Sequence, residues 1–270
     1  MRPSATVIEI HDPNDVRIAP YVDLKGRARD PARDPGRFVV EGELAVVRLL
    51  ESAFEVESVL TIPARAERLR ARARPGVPLF VVTPDLLEAI TGVDLHRGCV
   101  ALARRPARGP FTDPPLERPR TTIVVAQGLG DPVNVGALAR DCRAFGADLL
   151  LLDARGADPF SPRAVRASMG HVLSQPLAIV DDLAAELGRL RAQGRRVLAA
   201  TLSPRATPLP RLVRPRHAIL LLGHEGDGLR PELLALADEE VTIPIAAEVD
   251  SLNVAAAAAV LLYALSSRDP

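Results

Sequence analysis

Apolar and polar positions along the first part of the chain predict short strands separated by helices. Apolar runs predict strands at residues 38–40, 56–62, 79–82 and 99–103. Helical spacing of apolar residues, with Pro84 at one helix start and Pro75 just after another helix end, predicts helices at residues 41–52, 64–73 and 84–90. This alternation predicts a small α/β domain.

The last part of the chain repeats the alternation with more apolar strands. Strands are predicted at residues 123–126, 149–153, 177–180, 196–201, 218–223 and 240–244. Helices are predicted at residues 135–145, 163–169, 183–193, 231–237 and 252–266. Strands that are apolar without alternation are typical of a parallel sheet covered on both faces. The predicted fold class is therefore α/β, with a parallel-sheet C-terminal domain after the small α/β domain.

Composition suggests where the domains begin and end. Residues 1–36 are rich in Pro, Asp and Arg and weakly patterned, which predicts an irregular or partly helical N-terminal extension. The small domain then spans residues 37–104, and the C-terminal domain spans residues 121–270. Prolines recur between them, and each removes a backbone donor and disfavours helix in the residue before it. Residues 105–120 are therefore predicted to form a linker.

Charge and cysteine content narrow the class of protein. Lys and Arg total 34, as do Asp and Glu, so the chain lacks the overall basic character expected of a nucleic-acid binder. Arginines nevertheless cluster at residues 65–74 and 104–120, where solvated surface and RNA contact are equally good interpretations. Cys99 and Cys142 lie among apolar residues and indicate neither a disulfide framework nor a metal site. With no secretory signal and no apolar run long enough for a bilayer, we expect a cytoplasmic protein.

Three polar segments follow, or lie at the end of, predicted strands of the C-terminal domain, at residues 131–140, 220–229 and 243–254. Ligands of open α/β sheets bind outside the carboxyl ends of the strands, so the three segments predict one composite pocket. In the first, Asn134 is a good helix N-cap, and Gly136 permits close backbone approach. In the third, Ser251 is an N-cap candidate, with Asn253 in the first helical turn. Ordinary capped helices explain either segment taken alone.

The middle segment is more specific, because three glycines surround Glu225 directly after a buried strand. Such a turn lets backbone groups meet a ligand directly. A phosphate-binding loop is disfavoured, since the Lys-Ser/Thr pair of a P-loop is missing and the carboxylates of Glu225 and Asp227 would repel phosphate. The loop better suits a ligand that bears a cation and hydroxyl groups.

Taken in this order, the three segments resemble the three motifs of the SpoU-type (TrmH-like) RNA 2′-O-ribose methyltransferases of the SPOUT superfamily. The spacing Asn-x-Gly-x-x-x-Arg at residues 134–140 matches the first motif, and Ser-Leu-Asn-Val at residues 251–254 matches the third in full. The resemblance implies a deep trefoil knot in the C-terminal domain. Residues 37–42 and 96–101 look like the two ends of the small RNA-binding domain with a ribosomal-protein-like fold that often precedes it.

The resemblance also implies the reaction and its participants. S-adenosyl-L-methionine is the implied cofactor, and the ribose 2′-hydroxyl of an RNA is the methyl acceptor. Ribosomal RNA is favoured over transfer RNA, because the first domain provides an extra RNA-reading module. A homodimer is expected, with residues 254–265 in its interface. No metal and no membrane partner are expected.

Site residues are assigned from the same resemblance. The catalytic residues implied are Asn134, Arg140, Glu225, Ser251 and Asn253. The cofactor-binding residues implied are Leu222, Gly223, Gly226, Ile243, Ile245 and Leu252, acting mostly through the backbone. Arg166 and Ser168 are RNA-binding candidates from the resemblance, and the arginine cluster adds Arg65, Arg68, Arg70 and Arg72. His224 stands where many members of the family have Asn, which leaves its role open.

The role of Arg140 has two interpretations. The family proposal is that this arginine takes the proton of the attacking hydroxyl. An arginine is normally protonated throughout the accessible pH range, so Arg140 is either strongly perturbed or holds the neighbouring phosphate. Positioning and electrostatic complementarity would supply much of the rate in both cases.

Three other functions compete with this reading. Base methylation of tRNA by another SPOUT enzyme is disfavoured, because the Asn, Arg, Glu, Ser and Asn set belongs to the ribose enzymes. A non-catalytic RNA-binding factor is disfavoured because Arg140, Glu225 and Asn253 are all present. A nucleotide-dependent oxidoreductase is disfavoured because the glycine fingerprint of a dinucleotide-binding fold is missing.

Overall fold

The computed structural model describes residues 5–24, 36–92, 98–107, 111–224 and 226–266. The chain forms two compact units. The first contains Met1–Ala107 and Phe160–Ser174, and the second contains Arg108–Pro159 and Gln175–Pro270. The second unit is thus interrupted by a short excursion of the chain into the first.

A five-stranded mixed sheet forms the centre of the first unit. Its strands are β1 (Val7–Glu9), β2 (Arg37–Glu41), β3 (Val56–Thr61), β4 (Leu79–Val81) and β5 (Cys99–Arg104), in the order β1-β4-β3-β5-β2. Its helices are α1 (Glu43–Glu51), α2 (Pro63–Arg70) and α3 (Pro84–Thr91), with α5 (Pro162–Ala167) from the excursion. Strand β4 is parallel to β1 and β3, whereas β5 is antiparallel to β3 and β2.

The N-terminal residues are part of this sheet, which differs from the predicted separate extension. Strand β1 pairs with β4 at the sheet edge, and a 3-10 helix at Val16–Tyr21 buries Ile18 and Tyr21 completely. The Tyr21 hydroxyl lies 2.7 Å from Ser58 Oγ, and burial raises its pKa. These residues therefore belong to the core of the first unit and not to an irregular extension.

The excursion at Phe160–Ser174 packs onto the strands and helices of the first unit. Phe160 lies 5.0 Å from Phe38 and 5.5 Å from Phe54, measured between ring centroids. Gly170 has φ +81°, and a β-carbon there would lie 3.0 Å from Ala45 Cα, so both its conformation and its surroundings favour glycine. The predicted domain division assigns these residues to the C-terminal domain, whereas in the structure they pack in the first unit.

The second unit is built on a seven-stranded parallel sheet. Its strands are β6 (Thr121–Ala126), β7 (Leu149–Asp153), β8 (Leu177–Val180), β9 (Arg196–Ala200), β10 (Thr207–Pro208), β11 (His217–Leu222) and β12 (Glu239–Thr242), in the order β10-β12-β9-β11-β6-β7-β8. Its helices are α4 (Pro132–Phe145), α6 (Leu183–Ala192), α7 (Pro231–Leu234) and α8 (Val254–Leu265). Helix α4 packs against α8. The central strands β6 and β11 are almost wholly buried, as the uninterrupted apolar runs predict.

Residues 111–120 are bound to the second unit by side-chain contacts. The sequence predicts a linker there, and the structure differs in this respect. Arg189 of α6 donates to both carboxylate oxygens of Asp113, at 2.7 and 2.8 Å. Arg195 is 2% exposed and donates to the carbonyl of Pro114. The prolines therefore shape an extended segment that is fixed by arginine contacts.

None of the helices in the described part of the chain is both long and apolar enough to cross a membrane.

Candidate active site

Loops that follow strands of the second unit meet at the carboxyl edge of its sheet. Leu222 at the end of β11 pairs in register with Ala126 at the end of β6. The loop 223–230 continues from β11, and residues 127–131 continue from β6. The segment 243–253 leads from β12 to α8. This is the edge at which open α/β sheets bind ligands.

The loop after β11 folds back on itself through a pair of backbone hydrogen bonds. His224 and Gly228 exchange N–H···O=C bonds, both of 3.0 Å. A β-carbon at Gly223 would lie 2.5 Å from the carbonyl carbon of Gly228 and 2.7 Å from the nitrogen of Leu229. Gly223 is therefore required because the loop's own backbone occupies the space beside it.

Gln127 fastens this loop to the end of β6 and was missed by sequence reasoning. Its side chain is buried, donates to the carbonyl of Gly228 at 3.2 Å and accepts from the backbone N–H of Arg230 at 2.7 Å. Its own backbone N–H donates to Leu222 at 2.9 Å. The only signal in the sequence is a polar residue directly after an apolar strand, and that signal does not identify its partners.

His224 stabilises the turn of the same loop. Its Nδ1 atom accepts hydrogen bonds from the backbone N–H groups of Gly226 at 3.1 Å and Asp227 at 3.2 Å. An acceptor at Nδ1 is available in the neutral ring with its proton on Nε2. The Asp227 carboxylate lies 3.6 Å from the same Nδ1 atom. In this position a histidine nitrogen does what the amide oxygen of an asparagine could do.

Asn134 and Asn253, from the first and third motifs, are joined side chain to side chain. The Nδ2 group of Asn253 donates to Oδ1 of Asn134 at 2.9 Å. The Oδ1 atom of Asn253 accepts from the backbone N–H of Ala255 at 2.9 Å, which caps α8 and turns the amide nitrogen toward Asn134. The structure thus brings together two of the predicted catalytic residues.

Both helix caps differ from the predicted ones. Asp131 caps α4 by accepting from Val133 N–H at 2.9 Å, so Asn134 lies in the first turn and keeps its side chain for Asn253. Asn253, not Ser251, caps α8. The reason in the first case is Pro132, whose fixed φ starts the helix two residues earlier than Asn134.

The other three predicted catalytic residues are Arg140, Ser251 and Glu225. Arg140 lies exposed on α4, where its charge opposes the rise in the pKa of Asp141 that burial causes. Ser251 is exposed in the segment before α8. Glu225 lies outside the described residues.

The predicted cofactor residues offer apolar surface and backbone groups at the same edge. Leu222 is buried at the end of β11, Ile243 and Ile245 are half-buried after β12, and Leu252 is 38% exposed. Exposed apolar side chains beside backbone donors and acceptors suit an adenine ring with polar edges. Together with the tightly folded glycine loop, this set of groups fits S-adenosyl-L-methionine. Among the described residues no cluster of His, Cys, Asp and Glu suited to a metal ion is found.

Asp153 and Arg230 add a charged contact beside the loop that sequence reasoning also missed. The Asp153 carboxylate, at the end of β7, is buried, accepts from Arg155 N–H at 3.0 Å and lies 3.5 Å from Nη2 of Arg230. Arg230 is also the residue whose backbone N–H binds Gln127. The end of β7 is therefore connected to the C-terminal end of the glycine loop.

The arginines predicted to bind RNA lie in the first unit and are paired with carboxylates. Arg65 and Arg68 both bind Glu43, at 3.0 and 2.7 Å. Arg72 binds Glu51 at 3.1 Å, and Arg70 lies 3.8 Å from Glu67. These pairs lower the net positive charge of the cluster.

The two remaining RNA-binding candidates belong to the excursion. Arg166 is exposed and binds Glu41 at 2.9 Å. Ser168 is fully buried, and its hydroxyl donates to the carbonyl of Val165 and accepts from the N–H of Gly170. RNA contact through Ser168 is therefore inconsistent with this structure, because the side chain closes the end of α5.

Comparison with known proteins identifies relatives over nearly the whole chain. Residues 121–263 match the model of the SpoU rRNA Methylase family. An uncharacterized tRNA/rRNA methyltransferase of Mycobacterium bovis is 35% identical over 95% of this chain and 91% of its own length. The 23S rRNA (guanosine(2553)-2′-O)-methyltransferase RlmP of Bacillus subtilis is 27% identical over 84% of this chain and 88% of its own. The AdoMet-bound rRNA methyltransferase of Sinorhizobium meliloti superposes with a TM-score of 0.78 and 27% identity over 96% of this chain and 97% of that one.

Proposed function

Since the chain belongs to the SpoU rRNA methylase family, we propose that it transfers a methyl group from S-adenosyl-L-methionine to a ribose 2′-hydroxyl of ribosomal RNA. The observation that carries the proposal is the hydrogen bond between Asn134 and Asn253, which joins the first and third motifs at the carboxyl edge of the sheet. Transfer RNA is the alternative substrate.

The cofactor is held mainly by backbone groups. The residues that hold it are Leu222, Gly223, Gly226, Ile243, Ile245 and Leu252. When bound, S-adenosyl-L-methionine supplies the electrophilic methyl group. Gln127 and the His224–Gly228 hydrogen bonds hold the two ends of the glycine loop together, which lowers the cost of ordering when the cofactor binds.

The reaction centre consists of Asn134, Arg140, Glu225, Ser251 and Asn253. The 2′-hydroxyl must lose its proton as its oxygen attacks the methyl group and the methyl–sulfur bond breaks, and the proton passes to solvent water. Arg140 is exposed to solvent, where it can bind the phosphate next to the reacting ribose and fix the hydroxyl in line for attack. A guanidinium is a poor proton acceptor, so positioning by Arg140 is the assigned role.

The first unit serves as the RNA-reading module. Helix α2 and the residues directly after it carry the arginine cluster, and phosphate groups would compete with Glu43 and Glu51 for the guanidinium groups of that cluster. The Bacillus subtilis relative is named for a ribosomal RNA target, which favours that class of substrate. Arg166 is the additional candidate from the excursion.

Three finer features are part of the proposal. The second unit contains the deep trefoil knot of SPOUT enzymes, and the first has the ribosomal-protein-like fold. The protein works as a homodimer through α8, on which Val260 is 42% and Tyr263 72% exposed. Sedimentation equilibrium at micromolar concentration tests the dimer, and a monomer with full activity would exclude it.

The experiment that tests the function is methyl transfer from radiolabelled cofactor to ribosomal RNA and, separately, to transfer RNA. Nuclease digestion then identifies the labelled nucleoside. The proposal expects 2′-O-methyl label in ribosomal RNA, and replacement of the target nucleotide by its 2′-deoxy form removes it. Label on a base, or label in neither RNA, would contradict the proposed reaction. Label in transfer RNA alone would establish the alternative substrate.

A matched pair of variants connects this activity to the observed geometry. Asn253→Asp keeps an oxygen to cap α8 but removes the donor to Asn134. Asn134→Asp keeps the acceptor. The first variant should fold normally and lose methyl transfer, while the second should keep more of it. Equal activity of both variants and the wild type would show that the hydrogen bond has no part in the site.

A further inference from the structure

Two adjoining cavities lie at the opposite, amino-terminal edge of the parallel sheet. The larger, of about 440 Å³, is lined by Arg196, Arg211, Arg214, Arg216, His217 and Glu239 among others. The smaller, of about 390 Å³, is lined by Arg191, Arg195, Arg196 and Asp238 among others. They share Gly194 and Arg196, so we treat them as one depression and call it the basic groove.

The parallel sheet brings these arginines together although they are distant in sequence. Strands β11, β9 and β6 begin side by side, with His217 opposite Thr121 and Ala218 opposite Arg196. Arg216, directly before β11, therefore lies at the same edge as the segment before β6. Its side chain donates to the carbonyls of Pro119 at 3.2 Å and Arg118 at 3.4 Å. Arg118 and Arg120 of that segment are exposed, and Arg118 is paired with Asp148 at 2.7 Å.

The charge of the lining residues is strongly one-sided. The groove is lined by six arginines and two carboxylates, of which Asp238 pairs with Arg191 at 2.8 Å and Glu239 lies 3.5 Å from Arg196. Arg195 is buried and donates to the Pro114 carbonyl, so it adds positive charge beneath the groove without presenting its guanidinium to a ligand. Burial lowers the pKa of His217, and Arg216 and Arg195 lower it further. The positive surroundings that would attract an anion therefore also disfavour the protonated form of the His217 ring.

We propose that the basic groove binds the phosphate backbone of the RNA substrate. The proposal rests on the assignment of the protein as an RNA methyltransferase, and it adds a contact that is separate from the reaction centre. Strand β11 runs from the groove at His217 to the glycine loop after Leu222, a separation of roughly 17 Å at the usual rise per residue.

The distribution of arginines over two adjoining cavities favours a polymer over a single small anion. The two parts of the groove are arranged along the sheet edge, with arginines in each. A guanidinium group binds phosphate through two parallel N–H···O bonds, and a row of them suits successive phosphates of a chain.

The test measures binding of a fluorescent RNA hairpin as a function of salt concentration. The double variant Arg196→Gln/Arg211→Gln removes two charges and leaves Arg214 and Arg216, which contact backbone carbonyls. We expect about tenfold weaker binding and a salt slope reduced by roughly 1.5 units, as the loss of two phosphate contacts predicts. The matched control Arg196→Lys/Arg211→Lys keeps both charges and should keep most of the affinity and the slope.

The variant Glu239→Gln provides a test of opposite sign. Removing a carboxylate from the groove should strengthen binding and steepen the salt dependence. General damage to the fold does not predict this result. Cofactor affinity and the thermal unfolding midpoint, measured for every variant, should stay at their wild-type values, because the cofactor site lies at the other edge.

Unchanged RNA affinity and salt slope in the Gln double variant would overturn the proposal. Competition by tripolyphosphate without any effect of the double variant on RNA binding would likewise overturn it and indicate a small-anion site. These outcomes do not depend on methyl transfer. A wild-type protein that binds the hairpin through the groove but methylates no RNA would contradict the proposed function and leave the groove assignment in place.

Discussion

Replacement of Gly223 by alanine is expected to open the glycine loop. The added methyl carbon would lie 2.5 Å from the Gly228 carbonyl carbon, about 1 Å inside ordinary contact distance, and backbone atoms are the obstacle. Relief requires Gly228 to move away. That movement breaks the two His224–Gly228 hydrogen bonds and the bond from Gln127 to Gly228. Three hydrogen bonds at about 1 kcal/mol each give a cost of roughly 3 kcal/mol.

This cost affects cofactor binding because the loop must close again to form the site. At 1.4 kcal/mol per tenfold change, affinity for S-adenosyl-L-methionine should fall by about a hundredfold. Isothermal titration calorimetry measures this directly, and circular dichroism checks that the sheet remains folded. Wild-type cofactor affinity in a folded Gly223→Ala protein would refute the reasoning.

A control in the same loop separates steric overlap from the general effect of adding a methyl group. A β-carbon at Gly226 would meet only the His224 ring, at the ordinary distance of 3.7 Å. The unfolding midpoint of Gly226→Ala should therefore stay near that of the wild type, whereas Gly223→Ala should unfold more easily. Equal destabilisation of both variants would show that the calculated overlap is not the cause.

Three further predictions follow from other contacts. Gln127→Leu should weaken cofactor binding about tenfold, because it leaves Gly228 O and Arg230 N–H without their partner; calorimetric affinity equal to wild type would contradict this. Arg140→Ala should slow single-turnover methyl transfer about a hundredfold at saturating RNA and cofactor, because the hydroxyl loses its alignment, with little change in cofactor affinity; a wild-type rate would make Arg140 a binding residue only. Arg189 hydrogen bonds lower the Asp113 pKa from 3.8 to about 2, so Asp113→Asn should cost about 1 kcal/mol of stability above pH 4, after allowance for solvent screening. That difference should disappear as the pH falls toward 2, and urea unfolding of both proteins at several pH values measures it; a difference that grew on acidification would contradict the assignment.

The sequence predicts the regular elements well where apolar runs are long and clearly bounded. Strands β7 and β8 have the predicted bounds, because each is an apolar run that ends at a polar or turn-forming residue. Strand β1 was not predicted, since it has only three residues at a sheet edge and Val7 is 41% exposed. The 3-10 helix that follows contains Pro20, which obscures helical periodicity.

Part of the site was also accessible from the sequence. The motif segments placed Asn134 and Asn253 in one pocket, and their side chains are in contact. Sequence could not predict which residue caps each helix, because Asp131, Asn134, Ser251 and Asn253 are all competent caps. Gln127 is 101 positions from Gly228, and no local pattern reports a contact over that separation. The basic groove escaped prediction for the same reason.

The excursion at Phe160–Ser174 has a consequence for how this protein can be divided. Neither unit is a continuous stretch of chain, so no single cut yields two intact halves. A fragment ending at residue 107 would lack Phe160, which packs against both Phe38 and Phe54, while a fragment beginning at residue 108 would expose Phe160. The two units must therefore be encoded together in one chain. Exchange of the first unit between related enzymes requires that residues 160–174 be exchanged with it.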